Sequence, residues 1–202
     1  MKVRFDYKIL IIICIFIITK QINLYLLLLF FTALHEVGHI VIAKILNQKI
    51  YIINILPVGL SVQLGININD YNNKFLKARI INLKKVLIGI AGPLTSLLIV
   101  YIIYFFRINT YFFNTEVLVY SNLLICLFNI LPIYPMDGEL VIRNLLKIIC
   151  GMQLGNKIAR IISHSTLIII TVVSSIVILK VHNIGIFLIL VYLWYRFFKD
   201  KR

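Results

Sequence analysis

Residues 24–46 read LYLLLLFFTALHEVGHIVIAKIL. At 1.5 Å per helical residue the run can cross a hydrocarbon core of about 30 Å, yet His35, Glu36 and His39 sit inside it. Across the 202 residues 61% are hydrophobic and 14% charged, so three ionisable groups in one apolar run are costly without a purpose. A soluble single-core enzyme is excluded. Working outward, further apolar segments lie near 9–19, 86–106, 117–131, 163–179 and 184–195. The expected fold is mainly α and polytopic, with about six transmembrane helices in a single domain over 1–202.

The 21 Lys+Arg against 7 Asp+Glu would suit a nucleic-acid binder, but they cluster beside apolar segments, which is the positive-inside pattern of a membrane protein. Placing the N-terminus in the cytoplasm puts 18 of the 21 basic residues on inner loops and tails and leaves Lys20, Arg107 and Lys180 outside. Both termini are therefore expected inside. Lys2, Arg4 and Lys8 ahead of 9–19 resemble a signal-peptide start, but Thr19-Lys20-Gln21 lacks a small-x-small cleavage pattern, so the segment reads as a retained helix. Cys14, Cys126 and Cys150 read as small packing residues, with no disulfide framework.

Residues 50–69 carry no charge before Asp70 and would pass as a span on hydropathy, but their periodicity differs. Val58, Leu60, Val62, Leu64, Ile66 and Ile68 alternate with Gly59, Ser61, Gln63, Gly65, Asn67 and Asn69. A period of two predicts a strand or hairpin between the second and third helices, membrane-associated and covered by protein because open backbone cannot face lipid. Its edge would pair with an extended substrate, or the hairpin would be a structural plug.

His35, Glu36 and His39 form HExxH. On a helix, i and i+4 share a face, so both imidazoles reach one zinc, and Glu36 reaches the water that such a metal activates. With four His and three Glu in the chain, chance gives this pattern about once in a thousand. A catalytic zinc needs a third protein ligand. Glu116 and His182 fall on the opposite face of the expected topology, and His164 reads as an interfacial histidine. Asp137 and Glu139 remain, in FNILPIYPMDGEL, where Pro132 and Pro135 end a helix in a stiff turn.

HEVGH, AGP at Ala91–Pro93, and N-x-x-P-x-x-P-x-D-G at Asn129–Gly138, in that order, resemble the site-2 proteases, intramembrane zinc metalloproteases. The resemblance implies one Zn2+ held by His35, His39 and Asp137, with Glu36 as general base. It also makes Asn129, Pro132 and Pro135 candidate substrate-binding or oxyanion residues, to which the strand reading adds Gly59 and Ser61. LPVG at 56–59 and LPIYPMDG at 131–138 are similar to the sporulation subgroup of the family, stage IV sporulation protein FB. That subgroup implies a membrane-associated sigma-K precursor as substrate, membrane-embedded inhibitor proteins as partners, and the mother-cell membrane as location. Glu139 departs from the subgroup's second glycine, and no CBS or PDZ domain is expected.

Two other functions compete. A metal-ion transporter would spread ionisable residues along several crossings, whereas here they gather in two motifs. A catalytically inactive metal-binding scaffold would have no use for Glu36.

Overall fold

The computed structural model describes residues 2–5, 13, 16–18, 20–56, 59–65, 74–181 and 184–199. Most of the apolar run 9–19, Val58 and 66–69 of the alternating stretch, and His182 lie outside these residues. The chain divides into two compact units, Met1–Asn129 and Ile130–Arg202.

In the first unit β1 (Lys2–Phe5) is followed by α1 (Ile22–Ile45), β2 (Lys49–Leu56), β3 (Gly59–Gly65), α2 (Lys74–Phe105) and α3 (Thr115–Ile130). β1 lies parallel to β2, and β2 pairs antiparallel with β3 in a register that sets Ile53 opposite Val62 and Asn54 opposite Ser61. The strand order leaves β3 at the sheet edge, and β3 packs against α1.

Helices α1 and α2 approach closely because Gly38 has no side chain: a Cβ there would collide with the Thr95 hydroxyl and come 2.8 Å from the Ala91 carbonyl oxygen. Small residues serve this purpose in membranes, where the lipid is as apolar as leucine and close packing holds helices together. Phe31, Ile103, Leu118 and Ile125 form the buried core beside this contact. Phe30, Leu94, Leu98 and Tyr101 are exposed, as residues against acyl chains would be.

The second unit holds α4 (Asp137–Cys150), α5 (Met152–Val181) and α6 (Ile184–Lys199). Gly151, at φ 86°, separates α4 from α5 in a conformation that side-chain-bearing residues rarely adopt. Ile133, Leu167 and Leu193 are its fully packed apolar core. Helix α4 is turned inside out, with Glu139, Arg143 and Asn144 buried and Leu145 and Ile149 exposed.

Among the described residues three helices are long and apolar enough to cross a membrane: Ile22–Ile45, Ala78–Phe105 and Met152–Val177. The architecture is that of a mainly helical membrane protein. A count of six draws also on α3 and α6, of 16 residues each, and on the run 9–19. Sixteen helical residues reach about 24 Å, short of a full core at right angles to the membrane.

Candidate metal centre

His35 and His39 lie one turn apart on the buried face of α1, 2% and 6% exposed. What faces them is a single stripe of α2, made of Ile88, Gly92 and Ser96 at intervals of four. The Ile88 carbonyl oxygen accepts from Nδ1 of His39 at 2.6 Å. A carbonyl only accepts, so the proton of a neutral His39 is fixed on Nδ1 and its Nε2 presents a lone pair. Nδ1 of His35 lies 2.9 Å from the Ser96 hydroxyl, the geometry that fixes the same tautomer when Nδ1–H donates.

The two Nε2 atoms are 3.3 Å apart. Two imidazole ligands at 2.0–2.1 Å from a tetrahedral zinc are separated by about 3.3–3.4 Å, so the pair already has the spacing of a shared ion. Gly92 leaves the opposite wall bare. A Cβ at that position would collide with Nε2 of both histidines, filling the space a metal would need. Nδ1 tied to the protein with Nε2 left for metal is the usual arrangement of a ligating histidine. The residues of this face therefore fit a zinc ion.

Further hydrogen bonds hold the stripe. Asn122, fully buried on α3, donates from Nδ2 to the Ser96 carbonyl oxygen at 3.1 Å, and the Cys126 thiol donates to the Pro93 carbonyl oxygen at 3.5 Å. The AGP triplet acquires a separate task at each residue: Ala91 bounds the Gly38 contact, Gly92 clears the imidazoles, and Pro93 anchors α3. Glu36 follows His35, about 100° further around α1, and is half-buried.

In the second unit Leu131–Met136 form a turn in which the Ile133 and Met136 N–H groups donate to the Leu131 and Ile133 carbonyls. Met136 occupies the N-cap of α4, so Asp137 is the first helical residue rather than the cap. Its half-buried carboxylate stands at the positive end of the helix dipole, which favours the ionised, metal-binding form. Gly138 lets the start of α4 pack against its approach segment, since a Cβ there would meet the Ile130 carbonyl and lie 2.8 Å from the Leu131 oxygen.

Glu139 is engaged elsewhere, in a buried ion pair with Arg143 one turn on. His164 stacks on Phe197 with ring centroids 5.2 Å apart. Glu116 is exposed in the first turn of α3. Asn129 donates to the Ile125 carbonyl of its own helix at 3.1 Å, and Pro132 and Pro135 are half-buried in the turn. Gly59 and Ser61 contribute backbone to β3, Gly59 opposite Leu56 and Ser61 opposite Asn54. Ser96 and Asn122 have no counterpart among the sequence-derived candidates. The spacing 88, 92, 96 signals them only once α2 is known to face the zinc motif.

A zinc metalloprotease of Methanocaldococcus jannaschii is 35% identical to this chain over 154 residues, 72% of the chain and 41% of that protein. The chain thus spans about two fifths of the length of this curated relative. No family model matches. The solved structure of a site-2 protease from Methanocaldococcus jannaschii aligns with 99% of this chain and 90% of its own, at 26% identity and a TM-score of 0.70. The chain shares the fold of that site-2 protease, and the HExxH helix with its α2 stripe lies within the shared region.

Proposed function

We propose that the chain is an intramembrane zinc metalloendopeptidase that hydrolyses a peptide bond of a membrane-associated regulatory protein. The observation that carries this reading is the His35–His39 pair, held by Ile88 and Ser96 with two Nε2 atoms 3.3 Å apart opposite a side-chain-free Gly92. The names of the similar proteins, a zinc metalloprotease and a site-2 protease, support it. Asp137 is the third ligand, as the resemblance of its motif to the site-2 proteases implies.

Zinc, when bound, supplies Lewis-acid polarisation of a carbonyl and brings the pKa of water down to about 7. The chain's own residues do the rest. A Glu36 carboxylate oxygen takes the proton of the attacking water and returns it to the leaving amine nitrogen. Because a helical substrate hides its carbonyls in its own hydrogen bonds, it must be extended before attack. The edge strand β3, packed on the zinc-motif helix, offers main-chain groups to pair with such a segment, with Gly59 and Ser61 in the pairing strand and Asn129, Pro132 and Pro135 bordering the Asp137 turn.

The substrate class follows from LPVG and LPIYPMDG, which resemble the sporulation subgroup. The substrate is a sigma-factor precursor, held inactive in the company of membrane-embedded inhibitors, and the chain has six crossings with both termini in the cytoplasm of the mother cell. The basic residues support that orientation. Co-expression with a membrane-tethered precursor of this class tests the activity. Glu36→Gln lowers cleavage by about 10²–10⁴-fold, the contribution of a general base, while purified protein keeps its zinc. Undiminished cleavage by Glu36→Gln refutes the reading.

A further inference from the structure

A second polar centre lies in the unit Ile130–Arg202, and the proposed hydrolysis makes no use of it. A cavity of about 190 Å³ is lined by Tyr134, Arg143, Arg160, Ser163, Phe197 and Phe198. At about 30 Å³ per water it has room for roughly six waters or one compact headgroup.

Its charge is one-sided. Arg143 is balanced by Glu139. Arg160 is exposed and makes no hydrogen bond or ion pair among the described residues. The Arg196 guanidinium lies 5.5 Å from the centroid of the Tyr134 ring, and among the described residues its buried Nε has no hydrogen-bond partner. A buried N–H of a cation left without an acceptor is costly. The fully buried Ser163 hydroxyl accepts from the Tyr134 N–H at 3.2 Å and keeps its own proton for another acceptor.

What would satisfy the Arg160 guanidinium and the Ser163 hydroxyl is a multivalent oxygen anion. Phosphate presents several acceptor oxygens, and arginine is the side chain best shaped to meet them. The cavity lies at Arg160 and Ser163 of α5, where the apolar segment 163–179 begins, and where α6 approaches its end. That is the level of a membrane surface. Phe198, 73% exposed, lies at the mouth as an apolar neighbour suited to a glycerol and acyl chain.

We propose that this cavity binds the phosphate of an anionic phospholipid headgroup, with Arg160 and Ser163 as its donors and the Arg196 cation beside Tyr134 adding to its positive field. Basic pockets between membrane helices are suited to such headgroups, and each arginine at an anionic surface is worth about a five-fold preference.

The sole tryptophan of the chain, Trp194, gives a direct readout, because its ring stacks on Phe198 at 5.4 Å. Full-length protein is reconstituted into phosphatidylcholine vesicles containing equal mole fractions of brominated phosphatidylglycerol or brominated phosphatidylcholine, and quenching of Trp194 is titrated. The expected result is binding of phosphatidylglycerol about ten-fold tighter or more than phosphatidylcholine, with the preference lost in Arg160→Gln/Arg196→Gln. It should persist in the charge-matched control Lys44→Gln/Lys157→Gln, which removes two exposed cations elsewhere. Arg160→Gln alone, at an exposed position, should lower the preference about five-fold and guards against misfolding of the double variant. Equal quenching by both lipids overturns the proposal, as does equal loss in the control. Inorganic phosphate is titrated against detergent-solubilised protein in a second arm. Thermal protection by phosphate that requires Arg160 and Arg196, with no lipid preference in vesicles, would assign the cavity to a soluble phosphate and overturn the lipid source.

Discussion

Helices α1 and α4 both bury charged or titratable side chains, and they do so in opposite ways. Helix α1 is apolar almost throughout and admits His35 and His39 on one face, where backbone and hydroxyl partners on α2 fix their orientation. Helix α4 is amphipathic with its polar side inward, so Glu139, Arg143 and Asn144 are hidden and Leu145 and Ile149 point out. In water the second arrangement would be unstable. Beside lipid it is reasonable, because an apolar exterior costs little and the buried Glu139 and Arg143 neutralise each other. The first arrangement sets two ring nitrogens at the spacing of a shared ion; the second consumes its charges in structure.

The largest effect that sharpens this contrast is expected in α4. Glu139→Ala leaves the Arg143 guanidinium buried without its carboxylate and should destabilise the second unit by about 3–5 kcal/mol. Replacing both residues by leucine should recover most of that loss. Denaturant unfolding in detergent checks both variants. An unchanged unfolding midpoint for Glu139→Ala would mean that the pair is not structural.

A smaller effect is expected at Ser96, which positions His35. Ser96→Ala removes the partner of His35 Nδ1 and should weaken zinc affinity about 10–100-fold, the usual cost of losing such an orienting bond. Ser96→Thr keeps the hydroxyl and should restore affinity if the added methyl is accommodated. Competition against a chelator reads this directly, independent of any protease assay. Zinc affinity that stays unchanged in Ser96→Ala would break the argument that the α2 stripe organises the pair.

Much of this was legible from residues because membranes make polar groups conspicuous. HEVGH stands out in an apolar run, and LPIYPMDG stands out by its prolines and its aspartate. The alternation over 58–69 signals extended backbone in a chain otherwise written for helices, and its described part, Gly59–Gly65, is strand β3. What stayed hidden depends on which helix faces which. Ile88 acts through its carbonyl, which every residue possesses, and Gly92 acts through an absent side chain. Ser96 and Asn122 are single polar residues of a kind common in membrane helices, so nothing local marks them. The polar side of α4 was hidden for another reason: Glu139 and Arg143, read without a partner, look like solvent-facing charges after a helix start.

The central claim is a zinc ion held by His35, His39 and Asp137, and zinc K-edge X-ray absorption of the purified full chain, with metal content measured in parallel, tests it most directly. The wild type should carry one zinc with two imidazole nitrogens and a carboxylate oxygen in its first shell at about 2.0–2.2 Å. Asp137→Asn should lose most of that zinc while Glu139→Gln retains it. Full zinc in Asp137→Asn together with loss in Glu139→Gln would contradict the account.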